Sequence, residues 1–147
     1  MADDNTDDSF FIEQAFAKAG SSTKVFFVRD GREACDYLQG AGLHSHRATS
    51  PLPALLLLDL KMPRMNGFEV LAWLQTQPEF APIPVVVLTG SPCPDDHKIA
   101  RDLGADDFLS KPCDSAELLH LVRNLHTRWL NGESKETKRN RVFTTFA

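Results

Sequence analysis

An α/β sandwich built on a parallel sheet is the fold class this sequence predicts, on three observations. Stretches with helical spacing of apolar residues alternate with short β-prone runs along the chain. Two of those runs, 54–58 and 85–88, are apolar at every position, as strands are when helices cover both faces of a sheet. The chain has 147 residues, 42% of them hydrophobic, which suits one globular domain with a single core.

Residues 7–19 read as an amphipathic helix, with Phe11, Ile12, Ala15, Phe16 and Ala19 on one stripe and Gly20 as its stop. Residues 25–28 are β-branched and aromatic, a short strand ended by Asp30 and Gly31. Residues 33–39 form a short helix closed by Gly40, and 40–53 hold Gly, Ser, His and Pro without a period, a loop. The apolar run 54–58 is a strand that ends at Asp59. Residues 68–75 are helical, and Pro78 and Pro82 interrupt the chain before the strand at 85–88. A helix over 98–103 stops at Gly104, and 108–110 make a last short strand before Lys111 and Pro112. Asp114 and Glu117 have the spacing of a capping box ahead of the stripe Leu118, Leu121, Val122, Leu125 and Trp129. The domain therefore covers residues 1–130. Residues 131–147 are a polar linker followed by a β-prone end, Val142 to Phe146.

Composition removes several classes of function. The longest apolar run is far short of the roughly 20 residues of a membrane helix. The first ten residues carry four aspartates and no Lys or Arg, unlike a secretory or transit leader. A cytoplasmic protein is expected. A net charge of −4 offers no general attraction to phosphate backbones, so no DNA partner is expected. Cys35, Cys93 and Cys113 are odd in number and widely spaced, which fits neither a disulfide framework nor a zinc cluster.

In open parallel sheets, function gathers at the carboxyl ends of the strands. Asp59, Thr89 and Lys111 sit at three such ends, and Asp3 and Asp4 precede the first helix. Crowded carboxylates disfavour one another's ionised forms. A hard cation such as Mg²⁺ relieves the repulsion while keeping sites open for phosphate oxygens. A hydroxyl and an ammonium opposite would then steady a phosphoryl group carried by a carboxylate.

Asp3-Asp4-Asn5, the segment from Leu55 through Asp59, Lys61, Met62 and Pro63 to Gly67, the run from Val86 to Thr89 and Gly90, and Lys111-Pro112 together resemble the receiver domain of two-component response regulators. The match covers about residues 2 to 130. The resemblance implies a flavodoxin-like three-layer sandwich with strand order 2-1-3-4-5. It implies Asp59 as phosphoacceptor from a sensor histidine kinase, and Mg²⁺ held by Asp4, Asp59 and the Lys61 backbone carbonyl, with Asp3 acting through water. Lys111 would contact the phosphoryl group, with a cis bond to Pro112 turning the ammonium inward. Thr89 would swing toward the phosphoryl oxygen beside a small Gly90. Phe108 holds the aromatic switch position without a hydroxyl, and Gly67 permits the tight turn after Pro63. The long 40–53 loop and the ending at Trp129 are similar to regulators that partner bacterial phytochromes. A second copy of the chain is a further candidate partner, through the C-terminal face or tail. At most self-phosphorylation and self-dephosphorylation activity is expected.

One departure matters. A receiver opens with an apolar strand ahead of its acid pair, and here only Met1 and Ala2 precede Asp3. A first strand missing or truncated would open the interior of the sheet, where unpaired backbone groups are costly. Truncation at the start is the preferred expectation; the alternative is that residues 141–146 fill the slot, within one chain or by exchange between two.

Taken singly, the dull readings are the better ones: Asp59 as a helix cap, Asp3-Asp4 as a solvated turn, Lys111 as a surface charge, Thr89 as an ordinary strand residue. His44 and His46 lack a metal-binding companion, and the basic residues from Lys135 to Arg141 read as a solvated face. Taken together in order, the four segments favour signalling. The alternative is a phosphate-independent interaction module with a relic acid site, which magnesium affinity distinguishes. A metal-dependent phosphatase would need D-x-D, and Leu60 and Lys61 follow Asp59.

Overall fold

The computed structural model describes residues 1–90 and 93–131. Helices α1 (Thr6–Lys18), α2 (Gly31–Gln39), α3 (Gly67–Gln75), α4 (Pro94–Asp102) and α5 (Ser115–Trp129) surround strands β1 (Leu56–Leu58), β2 (Val85–Thr89) and β3 (Asp107–Ser110). The three strands are parallel in the order β1-β2-β3, with Leu58 opposite Val87 and Val87 opposite Phe108.

The apolar runs behave as doubly covered strands. Leu56, Leu58, Val85 and Val87 pack with α2 and α3 through Leu38, Val70 and Leu71. Their alternates Leu57, Val86 and Leu88 pack with α1 and α5 through Ile12, Phe16, Val122, Leu125 and Trp129. Strand period two sends neighbouring residues to opposite faces, so a run that is apolar throughout needs both layers of helices. Phe11 is the exception to the expected stripe on α1, with 56% of its surface exposed.

Local chemistry explains the boundaries. Asn5 caps α1 by accepting from the Asp7 and Asp8 amides at 2.9 and 3.3 Å. Asn66 and Glu69 form a reciprocal capping box at α3. Gly40 closes α2 in the left-handed conformation at φ 68°. Pro94 at the first turn starts α4 a turn earlier than its apolar residues alone suggest. The 40–53 loop contains one 3₁₀ turn, Gly42–His44. Arg47 ties that loop to α2, donating to the Tyr37 and Leu38 carbonyls at 2.8 and 2.5 Å.

The expected strand at 25–28 is reduced to a bridge. Ala2 pairs in parallel with Val28 on one side and with Leu58 on the other. Ala2 donates to the Leu57 carbonyl at 2.9 Å, and the Met1 carbonyl accepts from Val28 at 2.9 Å. Counted along the chain, the lateral order is thus 2-1-3-4-5, with the first position held by Met1 to Asp3 alone. Toward the amino edge the ladder gives way to a cavity of about 300 Å³ between the two flanking segments, bordered by Val25, Phe26, Leu55, Leu57 and Leu130. A segment is a strand only if it has a neighbour to bond, so residues 25–27 have β-prone composition without a ladder. Residues 141–146, the alternative filling for this slot, lie outside the described residues.

Candidate functional site

The short ladder places the acids. The Asp3 amide donates to the Val28 carbonyl and the Asp59 amide to the Ala2 carbonyl, both at 3.0 Å, which brings both carboxylates to the same edge. The Lys111 amide donates to the Thr89 carbonyl at 2.8 Å, carrying the lysine to that edge from the far side. Asp3, Asp4 and Asp59 each offer an oxygen within 4.8 Å of the others. Asp3 and Asp59 are buried and Asp4 is exposed, so the cluster opens to solvent on one side.

Lys111 Nζ lies 2.7 Å from Asp3 Oδ2, 2.9 Å from Asp8 Oδ2 and 3.1 Å from Asp59 Oδ2. Burial alone would lower the pKa of this ammonium; bonds to Asp3, Asp8 and Asp59 outweigh that and hold it above the ordinary lysine value. Asp3 goes the other way. Burial raises its carboxyl above the usual range, against the opposing pull of Lys111 and the Asn5 amide. Asp3 Oδ2 is buried, with the Lys111 ammonium beside it but no well-aligned hydrogen bond among the described residues. A buried carboxylate grouped with two further carboxylates, their oxygens within 4.8 Å of one another, suits a hard divalent cation. The donor set fits magnesium.

The remaining expected residues take defined places. Thr89 is buried at the end of β2, opposite Ser110. The Lys61 amide donates to Asp59 Oδ1 at 3.4 Å, turning the chain after the acid. Phe108 is half-buried on β3 with its ring edge-on to His97, centroids 5.0 Å apart. Among the described residues, a Cβ at Gly90 would meet only Lys111 Cδ, at 3.8 Å.

Two expectations are corrected. The Lys111–Pro112 bond is trans, since no described peptide bond is cis; the bond from Lys111 to the end of β2 aims the side chain inward without it. Gly67 is required by close approach rather than by a tight turn: its backbone lies against the Asp59 carbonyl, and its φ is not positive.

The sequence reading missed two features. Asp8 joins the site from the first turn of α1, and no helical spacing signals it, since Asp3 and Asp4 lie ahead of the helix. Asp30, almost fully buried, is paired with Arg64, which stands at φ 63° in the loop after Asp59. Nothing local foretells that pair.

A parallel α/β sandwich with three acids and a lysine at its carboxyl edge defines a phosphate-handling signalling module. The chain belongs to the response regulator receiver domain family, whose model matches residues 1–123. It is 32% identical over 130 residues to the response regulator Rcp1 of Synechocystis, spanning 88% of this chain and 86% of Rcp1. The phosphorylated cyanobacterial phytochrome response regulator RcpA is similar in structure at TM-score 0.80 and 35% identity, over 90% of this chain and 92% of RcpA. The Mn²⁺-bound form of Rcp1 matches at TM-score 0.78 and 32% identity, over 90% and 93% of the two chains. Phosphoacceptor signalling through a Mg²⁺-binding acidic pocket is the function of this receiver family, which is in general non-enzymatic. None of the described helices is long and apolar enough to cross a membrane.

Proposed function

We propose that Asp59 is the phosphoacceptor, taking a phosphoryl group from a sensor histidine kinase, and that residues 1–130 form the switching unit. The carrying observation is the placement of Asp59 Oδ2 3.1 Å from Lys111 Nζ and within reach of Asp3 and Asp4. An Asp59 carboxylate oxygen attacks phosphorus, a P–O bond forms as the P–N bond to the kinase imidazole breaks, and the imidazole keeps the electron pair and takes up a proton. Asp4, Asp59 and the Lys61 carbonyl, with Asp3 through water, would hold magnesium, which would supply charge neutralisation for this transfer. Lys111 holds one phosphoryl oxygen, and the Thr89 hydroxyl moves to another.

The acyl phosphate adds a charge of roughly −1.5 to −2, if it resembles other phosphorylated side chains. Drawing Thr89 inward shifts β2, and the Phe108–His97 contact passes the change by packing to α4 and α5. That face then selects between kinase, target and a second copy of the chain. Similarity to RcpA and Rcp1 supports a phytochrome kinase as the partner, acting in the cytoplasm. Self-phosphorylation from small donors and self-dephosphorylation belong to the same site.

Incubation with acetyl phosphate and Mg²⁺ is expected to add one phosphoryl mass to the intact protein, and Asp59→Asn to abolish it. Unmodified wild-type mass under these conditions overturns the assignment.

A further inference from the structure

The most unusual feature of the pocket is the third carboxylate on Lys111. Asp8 lies outside the trio of acids suited to the cation, and its side chain is one-third exposed, whereas those of Asp3 and Asp59 are almost wholly buried. Of the three acids around Nζ, only Asp8 and Asp59 accept well-aligned hydrogen bonds, at 2.9 and 3.1 Å. Beside its ion pair with Asp3, the ammonium therefore divides its aligned bonds between the phosphoacceptor and a residue of α1.

Helix α1 holds Asp8 firmly. Asp8 is the third residue of the helix, and its amide is bonded to the Asn5 cap at 3.3 Å. Asp7, its neighbour, carries the same charge but is not among the acids paired with Lys111 and belongs to the exposed face of that turn. A phosphoryl group on Asp59 presents new anionic oxygens to an ammonium whose N–H groups are few and directional. Each bond kept by Asp8 is one withheld from the phosphoryl group.

We infer that Asp8 is a positioning residue that restrains Lys111 in the unphosphorylated state and so sets how readily the pocket accepts and retains a phosphoryl group. This rests on the assignment of Asp59 as phosphoacceptor and of Lys111 as its phosphoryl contact. Removing the Asp8 charge frees the ammonium for the phosphoryl oxygens. A part-exposed ion pair is worth up to roughly 1 kcal/mol, so the expected gain is about fivefold.

The test compares full-length wild type, Asp8→Asn, Asp7→Asn, Lys111→Met and the Asp8→Asn/Lys111→Met double variant. Each is titrated with beryllofluoride in Mg²⁺, followed by intrinsic tryptophan fluorescence, and timed for phosphorylation by acetyl phosphate. Asp8→Asn is expected to bind beryllofluoride and to phosphorylate about fivefold better, with Asp7→Asn unchanged. In the Lys111→Met background the Asp8 change is expected to have no effect, because the route through lysine is gone. An Asp8→Asn protein that matches wild type overturns the inference. So does an equal gain in the Lys111→Met background, or from Asp7→Asn, since either marks general repulsion of the anion. A wild type that neither binds beryllofluoride nor phosphorylates overturns the phosphoacceptor assignment instead.

Discussion

Gly67 lies so close to Asp59 that a Cβ at this position would stand 2.3 Å from the Asp59 carbonyl oxygen and 2.9 Å from Leu60 Cα. Both neighbours are backbone, and the Gly67 amide returns a bond to the Leu60 carbonyl at 3.0 Å. The first turn of α3 is thereby pressed against the end of the strand that carries the acid. Gly67→Ala is expected to cost about 3 kcal/mol, since overpacking here displaces main chain. Gly90→Ala, where the nearest atom among the described residues is 3.8 Å away, is expected to leave the urea midpoint nearly unchanged. Equal stability of the two variants in urea denaturation would count against this packing.

Arg64 is exposed over 69% of its side chain, yet its partner Asp30 is about 1% exposed. Ordinary surface arginines contribute little, but losing this one leaves a carboxylate buried without its counter-charge. Arg64→Ala is expected to destabilise by about 2 kcal/mol, with Asp30→Asn in the same chain recovering part of the loss. Additive losses in the double variant would refute the pairing.

Cys35 is buried, while Cys93 and Cys113 are exposed. Burial pushes the Cys35 thiol up to about 11 from its ordinary value of 9.0. At pH 8, two thiols are expected to react with Ellman's reagent at once and the third only on unfolding. An acid whose pKa is raised by folding favours the native state while protonated. Its contribution is therefore full below pH 9 and declines as pH rises toward 11. Cys35→Ser should flatten that part of the alkaline stability profile; three thiols labelled at one rate would show that the site is not enclosed.

The cavity beside Met1 offers a direct gain in stability. Four β-branched residues added ahead of Met1 would continue its ladder between Val25–Phe26 and Leu55–Leu57 and place apolar side chains in about 300 Å³ of space. Each buried side chain contributes about 1.5–3 kcal/mol, against roughly 1–2 kcal/mol of backbone entropy per residue. A net gain near 2 kcal/mol corresponds to a rise in Tm of roughly 5–10 °C. An unchanged melting temperature, with the added residues open to proteolysis, would show that the slot does not accept a strand.

The sequence by itself determined the alternation of helix and strand, the doubly covered runs around Leu57 and Val86, and the cap at Asp114. These depend on neighbours within a few residues, so periodicity and side-chain chemistry are enough to reveal them. The order of Asp3, Asp4, Asp59, Thr89 and Lys111 was legible as well, because parallel strands bring their ends to one edge. Tertiary structure alone decided that Asp8 shares Lys111 from 103 residues away, that Asp30 is buried against Arg64, and that residues 25–27 lack a ladder. Those outcomes depend on register, rotamer and the presence of a neighbouring strand, none of which is encoded in a local window of residues.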